Sequence, residues 1–206
     1  MKKNLAVLFA LTGWFAIIEQ FILMLGSRAL AMSEITIEFF SYFTILTNII
    51  VAVYFTCLLF SGSDNSKLIN KPGTLTAITV YIFMVGLVYQ VTLRHLWNPE
   101  GMQQIVDELL HTVIPLLAVV FWILYEKKSA VKYSQITKWC IYPLIYLVCI
   151  LIRGSLSGYY PYPFLDVVKI GMPKTLINCS ILVLVFLVIA VLFIFAGKKM
   201  SKKESP

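Results

Sequence analysis

Residues 107–125 read "DELLHTVIPLLAVVFWILY", a polar beginning followed by an uninterrupted apolar run. The run is apolar enough for the interior of a membrane, whereas Asp107, Glu108 and His111 are ionisable side chains that hydrocarbon excludes. Each such side chain costs about 2.5–3.5 kcal/mol at the centre of a membrane helix, so it normally faces protein or water and serves a function. The stretch therefore predicts a membrane helix with a functional polar site towards its beginning.

The composition of the whole chain extends this prediction. Of its 206 residues, 60% are hydrophobic and 13% are charged, whereas soluble domains have roughly 45–50% apolar and roughly 25% charged residues. We expect an all-α, polytopic membrane protein that forms a single domain over residues 1–206. A membrane helix needs about 20 predominantly apolar residues, and six runs qualify, at about 5–27, 37–60, 74–95, 107–125, 139–153 and 172–197.

The N-terminal segment resembles a signal peptide, because Lys2 and Lys3 precede an apolar stretch and "ALA" occupies residues 29–31. The stretch is longer than the apolar part of a signal peptide and Glu19 interrupts it, so we expect it to be the first membrane helix. With the N-terminus inside, 12 of the 17 basic residues fall in inner segments and 5 in outer ones. The positive-inside rule then predicts that both termini are cytoplasmic. The same bias accounts for the net charge of +7, so we expect no nucleic-acid partner.

This orientation places the polar residues of the spans in the outer half of the membrane. The inner half contains no ionisable residue within the predicted spans, which disfavours an ion path and hence a transporter. We expect instead a polar pocket open to the outer surface, in which Glu19 pairs with Arg94 or Arg153. The residues predicted to line this pocket are Glu19, Thr47, Asn48, Gln90, Arg94, Glu108 and Arg153.

Thr44 and His111 are the candidate catalytic pair. Counted from the beginnings of the predicted spans, both lie about 6–10 Å deep, so they can meet at one depth. Asp107 precedes His111 by four residues, so its carboxylate can hold one imidazole nitrogen and leave the other free to act as a base. Pro115, four residues after His111, releases a backbone carbonyl near the histidine and permits a kink. The hydroxyl of Thr44, the imidazole of His111 and the carboxylate of Asp107 match a nucleophile, a base and an orienting acid.

Each of these residues also has a purely structural interpretation. A threonine in a membrane helix often bonds its own i−4 carbonyl, and acids near a helix start complement the helix dipole. Arginines near helix ends can extend towards the membrane surface, and a buried histidine can simply bond a neighbouring helix. A zinc site is only weakly indicated, because the chain has two histidines and no HExxH or HxH spacing. We expect no metal and no cofactor.

Three stretches together resemble a known family: "SYFTILTNIIVAV" (41–53), "LLHTVIPLL" (109–117) and "RGSLSGYYPYPFLD" (153–166). Their order is similar to that in the family of the androgen-induced gene 1 protein and the androgen-dependent regulator of tissue factor pathway inhibitor, especially its bacterial branch of six-helix membrane proteins. The resemblance covers all six spans and implies a location in the bacterial inner membrane. It departs from the family where His111 and Pro115 lie four residues apart, one fewer than in the family, which puts one of them out of register.

The animal members of the family are integral-membrane hydrolases that cleave fatty acid esters of hydroxy fatty acids with a threonine and a histidine. The resemblance implies that Thr44 and His111 are the corresponding residues here. We therefore expect a membrane hydrolase of a lipid or acyl ester, with Asp107 orienting the histidine and Asn48 or Arg153 as the donor to an oxyanion.

The loop that contains Tyr162 and Asp166 is expected to cap the pocket, because its prolines hold an extended turn. A membrane protein that binds a lipid or another ligand without turnover remains the alternative function. The sequence does not decide the oligomeric state.

Overall fold

A computed structural model describes residues 1–27, 30–60 and 69–203 of the chain. Arg28, Lys67 and part of the "ALA" sequence at 29–31 lie outside these residues. Over the described ranges the chain is all-helical, as predicted, and contains no β-strand. The helices are α1 (Lys2–Ser27), α2 (Met32–Phe39), α3 (Phe43–Phe60), α4 (Thr74–Val88), α5 (Gly101–Glu108), α6 (Ile114–Tyr125), α7 (Ile136–Trp139), α8 (Ile141–Ser157), α9 (Val167–Ile170) and α10 (Met172–Lys203).

Six helical segments in the described part of the chain are long and apolar enough to cross a membrane, which confirms the number and order of the predicted spans. Large apolar side chains such as Leu11, Leu116 and Ile145 are exposed on these segments, as expected for helices that contact lipid. The segments are Lys2–Ser27, Phe43–Phe60, Thr74–Leu93, Gly101–Tyr125, Tyr133–Ser157 and Met172–Lys202.

The chain divides into two compact units, residues 1–130 and 131–206. The first contains α1 to α6 and four of the candidate spans, and the second contains α7 to α10 and the other two. Thr44, Asp107 and His111 all belong to the first unit, so one unit supplies all three candidate catalytic residues. The single domain expected from the sequence stays a prediction.

In the first unit, α1 and α3 pack closely because small residues line their contact. Ala6, Ala10 and Ala16 of α1 are buried, and a side-chain carbon added at Gly13 would lie 3.1 Å from Cβ of Ala52 on α3. Membrane helices associate through such residues, which let two backbones approach. The contact fixes the helix that carries the candidate nucleophile.

The end of the first unit at which α4 begins is held by aromatic packing and a carboxylate cap. Phe9, Phe55 and Phe121, from three different helices, meet edge to face with ring centroids 4.9–5.9 Å apart. Glu126, directly after α6, accepts hydrogen bonds from the backbone N–H (2.9 Å) and the hydroxyl (2.8 Å) of Thr76. The carboxylate thereby satisfies the first turn of α4 and ties it to the end of α6.

Several span boundaries differ from the predicted ones, and two of these differences affect the site. The span expected at 37–60 is interrupted at residues 40–42, so α3 begins only at Phe43. The span expected at 107–125 begins at Gly101. Its first turns are polar, so a prediction that counts apolar residues leaves them out although they are helical. Thr44 is thus one residue and His111 ten residues from its helix start, so the similar distances predicted from the helix starts are wrong. They meet because their helices begin at different heights.

A π-helical turn continues α4 over Tyr89–Leu93, and a second joins α5 to α6 over Leu109–Val113. In the first, the N–H of Arg94 donates to the carbonyl of Tyr89, five residues earlier, at 2.9 Å. Turns of this kind contain one residue more than an α-helical turn and are frequent at functional sites.

Pro115 explains the second π turn. Because it has no N–H, the carbonyl of His111, four residues earlier, has no helical donor. In addition, the N–H of Ile114 donates to the carbonyl of Leu109, which leaves the carbonyl of Leu110 without its usual helical donor. The sequence prediction of a released carbonyl near the histidine is therefore met at two neighbouring positions.

In the second unit, the connector between α8 and α10 is held by its own hydrogen bonds. Gly158 ends α8 in the left-handed conformation, with φ of 71°. The carboxylate of Asp166 accepts from the N–H of Lys169 at 3.1 Å and caps α9. Asn178 of α10 donates to the carbonyl of Phe164 at 2.9 Å. These bonds give the "GYYPYPFLD" segment a defined conformation within its unit.

Candidate functional site

The start of α3 and the π turn before α6 bring Thr44 and His111 together. Oγ1 of Thr44 lies 3.4 Å from Nε2 of His111. The other ring nitrogen, Nδ1, lies 2.9 Å from the backbone carbonyl oxygen of Asp107 and 3.2 Å from its carboxylate Oδ1. Both of these oxygens are acceptors, so in the neutral ring Nδ1 carries the proton and Nε2 presents a lone pair to Thr44. Asp107 thus orients the imidazole as the four-residue spacing predicts.

These three residues are shielded from their surroundings. Thr44 is 8% exposed, and the side chains of His111 and Asp107 are 12% and 5% exposed. A carboxylate with so little exposure is stable only when its oxygens are hydrogen-bonded. Electrostatic interactions among the three side chains are correspondingly stronger than they would be in water.

Tyr89 completes the site and is a residue that the sequence analysis does not identify. Its hydroxyl donates to Oδ2 of Asp107. Its ring is stacked on the imidazole of His111, with centroids 4.1 Å apart and planes 14° from parallel. A single tyrosine in an apolar run has the signature of a packing residue. The polar residues Gln90, Thr92 and Arg94 beside it are the sequence signal that polar chemistry reaches this turn.

Asn48 lies one turn after Thr44 and is fully buried. Its amide nitrogen donates to the carbonyl oxygens of Thr44 at 2.8 Å and Leu110 at 3.3 Å. An amide nitrogen has two hydrogens, so no donor of Asn48 is left for an oxyanion, the role that the sequence predicts for it. Asn48 instead ties α3 to the turn that carries His111, through a carbonyl without a helical donor.

A second, more exposed polar network runs beside the buried site. Gln90 donates to the hydroxyl of Thr112 at 2.9 Å, and Thr112 donates to Glu108 at 2.7 Å. Arg94 pairs with Glu108 and donates to Oε1 of Gln90 at 2.9 Å. Arg94 therefore has Glu108 as its partner, and not Glu19 as expected. Each of Gln90, Glu108 and Thr112 is the sequence neighbour of a buried site residue, so the two networks share the same turns.

The other predicted pocket residues of the first unit lie on α1 and α3. Glu19 is half-buried on α1, and the adjacent Gln20 accepts a hydrogen bond from Gln103 of α5 at 2.9 Å. Thr47 is fully buried on α3, in the turn after Thr44. Among the described residues no three His, Cys, Asp or Glu side chains gather as ligands for a metal ion.

The remaining predicted pocket residues belong to the second unit, and within that unit they make the following contacts. The guanidinium of Arg153 lies 4.7 Å from the ring centroid of Tyr159. The rings of Tyr162 and Phe164 are stacked, with centroids 5.2 Å apart. Asp166 caps α9 and pairs with Lys169 at 3.2 Å. Their expected roles in the pocket stay predictions.

No protein-family model, curated protein or solved structure matches this chain. Over the residues that the structure describes, the fold is that of an all-helical protein with six candidate membrane spans. In its first unit, a buried threonine, aspartate and tyrosine and a partly exposed histidine form one connected cluster.

Proposed function

We propose that the protein is an intramembrane hydrolase that cleaves a lipid or acyl ester, such as a fatty acid ester of a hydroxy fatty acid, with Thr44 as the nucleophile. The observation that carries the proposal is the 3.4 Å contact between Thr44 Oγ1 and His111 Nε2, with Nδ1 held by Asp107. A threonine hydroxyl is a weak nucleophile unless a base stands within hydrogen-bond reach. Such contacts are often loose until a substrate binds.

The reaction uses the imidazole of His111 twice. His111 takes the proton of Thr44 as Oγ1 attacks the ester carbonyl carbon, and the imidazolium returns that proton to the alcohol oxygen when the ester bond breaks. The acyl group is then held on Thr44. A water molecule, deprotonated by the same imidazole, attacks the acyl carbon and releases the acid, while Thr44 regains its proton. Asp107 keeps Nδ1 protonated and stabilises the imidazolium in both halves of the reaction.

The position of Thr44 in the first turn of α3 supports stabilisation of an oxyanion. The N–H groups of a first turn have no acceptor within their own helix, and the helix dipole places partial positive charge there. We assign the N–H of Ile45, the residue after the nucleophile, as the donor to the oxyanion, as occurs in other hydrolases whose nucleophile opens a helix. This donor takes the place of the Asn48 amide, which is already used.

The ester enters from the outer leaflet of a bacterial inner membrane in this proposal, and both termini lie in the cytoplasm. The excess of lysines in the predicted inner segments supports this orientation. The ionisable residues Asp107 and His111 lie towards the end of the first unit at which α4 ends and α5 begins, and this orientation assigns that end to the outside.

Membership of the family of the androgen-induced gene 1 protein is part of the same proposal. The three stretches at 41–53, 109–117 and 153–166 support it, as does the contact between the residues that correspond to the family threonine and histidine. The shorter spacing from His111 to Pro115 does not remove the histidine from Thr44, so His111 keeps its place in the proposed chemistry.

The test of the proposal is labelling of the purified protein by a fluorophosphonate probe. Thr44→Ala should abolish labelling, Thr44→Ser should retain it, and His111→Ala should slow it by about 10²-fold or more, the usual contribution of a general base. Thr79→Ala and His95→Asn are the matched controls. Thr79 is a buried threonine bonded to its own i−4 carbonyl, and His95 is exposed. Labelling that survives Thr44→Ala would remove Thr44 as the nucleophile.

A protein that binds a lipid ester without cleaving it is the second candidate function. The observation that favours it is the commitment of both Asn48 amide hydrogens to backbone carbonyls, which leaves no side-chain donor of Asn48 for an oxyanion. Incubation with a long-chain ester, followed by mass spectrometry, separates the two functions. Release of free fatty acid that depends on Thr44 supports the hydrolase, and recovery of intact ester supports the binder.

A further inference from the structure

We infer that Tyr89 is a positioning residue that holds both Asp107 and His111, through its hydroxyl and its ring respectively. The kinetic part of this inference rests on the proposed hydrolase function, but the geometry does not. Asp107 and His111 lie on one continuous helical segment, whereas Tyr89 comes from the π turn after α4. Tyr89 therefore ties both the acid and the base to a different helix.

The hydroxyl of Tyr89 determines how the carboxylate of Asp107 is turned. It donates to Oδ2, while Oδ1 faces Nδ1 of His111 at 3.2 Å. With Oδ2 anchored, the carboxylate cannot rotate away from the imidazole without losing a hydrogen bond to a charged group in a buried place. The effect of the hydroxyl on His111 therefore passes through Asp107.

The ring of Tyr89 determines the plane of the imidazole. At a centroid separation of 4.1 Å and an angle of 14°, the phenol blocks rotation of the His111 ring out of its plane. The stack alone does not distinguish the two orientations that are related by a 180° rotation about the Cβ–Cγ bond, because the ring lies in the same plane in both. The two acceptors at Nδ1 exclude the rotated orientation, because it would put a carbon in place of the N–H donor. The stack and the Asp107 contacts together leave Nε2 directed at Thr44, and the same ring face stabilises the imidazolium when it forms.

Two substitutions separate the hydroxyl from the ring. Tyr89→Phe removes the hydroxyl and keeps the stack, so we expect labelling of Thr44 to slow by roughly 10- to 100-fold, the effect of losing one hydrogen bond to a charged group. In an Asp107→Asn background the same substitution should cost less than about 2-fold, since its effect passes through the carboxylate. Tyr89→Leu should slow labelling further than Tyr89→Phe. Tyr81→Phe, on the same helix two turns earlier and also buried, is the control.

An NMR measurement tests the contact between Tyr89 and His111 without relying on catalysis. A stacked phenol shifts the ring proton signals of His111 by its ring current, so in the NMR spectrum of the full-length protein Tyr89→Leu should move them and Tyr89→Phe should leave them nearly unchanged. The chain has two histidines, and His95→Asn assigns the signals. This measurement also works in a Thr44→Ala background.

The outcomes are distinguishable. Effects of Tyr89→Phe and Asp107→Asn that simply add, or full activity in Tyr89→Leu, would overturn the positioning role even if Thr44 proves to be the nucleophile. If the wild-type protein is not labelled at Thr44, the hydrolase proposal fails and the NMR spectrum alone tests the role of Tyr89. Unchanged His111 signals in Tyr89→Leu would overturn the positioning role, and shifted signals would support it.

Discussion

At Gly86 the backbone of α4 comes into direct contact with the turn that carries His111. A side-chain carbon added there would lie 3.0 Å from the carbonyl oxygen of His111 and 3.2 Å from Cβ of Pro115. That oxygen belongs to the backbone and the proline ring is rigid, so neither neighbour can give way like the end of a flexible side chain. The absence of a side chain at this position sets the distance between the two helices, and with it the position of His111.

Gly86→Ala should therefore destabilise the protein by about 1–3 kcal/mol, the usual cost of overpacking, and slow the labelling of Thr44. The control is Gly26→Ala on α1, where an added carbon meets nothing within 4 Å. That substitution should leave stability unchanged or raise it by about 0.5–1 kcal/mol, because alanine is the better helix former. Thermal unfolding in detergent measures both. Equal effects of the two substitutions would show that the α4 contact does not position the turn.

Asn48→Asp is a second test at the residue scale. The two side chains have nearly the same shape, but the carboxylate has no hydrogen to donate and places negative charge against the carbonyls of Thr44 and Leu110. We expect a loss of about 2 kcal/mol or more, because the carbonyl of Leu110 loses its donor and the new carboxylate is left unpaired in a buried place. Asn48→Ala removes the donors without adding charge and should cost less. If the two variants unfold at the same temperature, the amide does not serve as the tie described above.

The sequence is informative about residues whose partners are close along the chain. Asp107 could be assigned to His111 because helix geometry places residues four apart on one face. Tyr89 could not be assigned, since its partner Asp107 lies 18 residues away on another segment. The predicted role of the Asn48 amide, donation to an oxyanion, is wrong for a similar reason. The carbonyl of Leu110 becomes available only through a π turn, which residue spacing alone does not reveal.

At the scale of elements, the irregular turns carry the chemistry. The π turns at Tyr89–Leu93 and Leu109–Val113 each present a site residue and a half-buried polar neighbour. Pro115 gives a sequence signal for the second turn, because it removes a helical donor. The break at residues 40–42, which puts Thr44 in a first turn, contains no Gly or Pro and has no such signal. Hydropathy therefore predicts the six spans but not where the site helices begin.

Pro115→Ala tests the role of the second π turn. An N–H at this position can donate to the carbonyl of His111, so a regular α-helical turn becomes possible. We expect stability to stay level or rise by up to about 3 kcal/mol, the cost of a proline inside a helix, while labelling of Thr44 slows by roughly 10- to 100-fold because the imidazole moves. Opposite changes in stability and activity are the signature of a strained functional turn.

Pro143→Ala is the control for this substitution. Pro143 lies in the first turn of α8, where a missing N–H costs little, so neither stability nor labelling should change much. A Pro115→Ala protein that keeps full activity would mean that the π turn is not required to direct His111 at Thr44.

At the scale of the whole molecule, the five residues that form the candidate site all belong to the first unit. Thr44, Asn48, Tyr89, Asp107 and His111 all lie between residues 1 and 130. Their contacts lie towards the end of this unit where α4 ends and α5 begins, whereas the opposite end is held by aromatic rings and the Glu126 cap. If the end with the candidate site faces the cell exterior, a substrate comes from the outer leaflet; if it faces the cytoplasm, the substrate comes from the inner leaflet.

Accessibility of two single-cysteine positions in intact cells shows which end faces the exterior. Glu100→Cys places a thiol on the connector beside the site, and Lys127→Cys places one just after α6, at the other end of the unit; both positions are exposed. A membrane-impermeant maleimide should label Glu100→Cys in intact cells and Lys127→Cys only after the cells are opened, with the native protein as the measure of background from its four cysteines. The reverse pattern would contradict the positive-inside assignment. The Thr44 end would then face the cytoplasm, and the substrate would have to come from the inner leaflet.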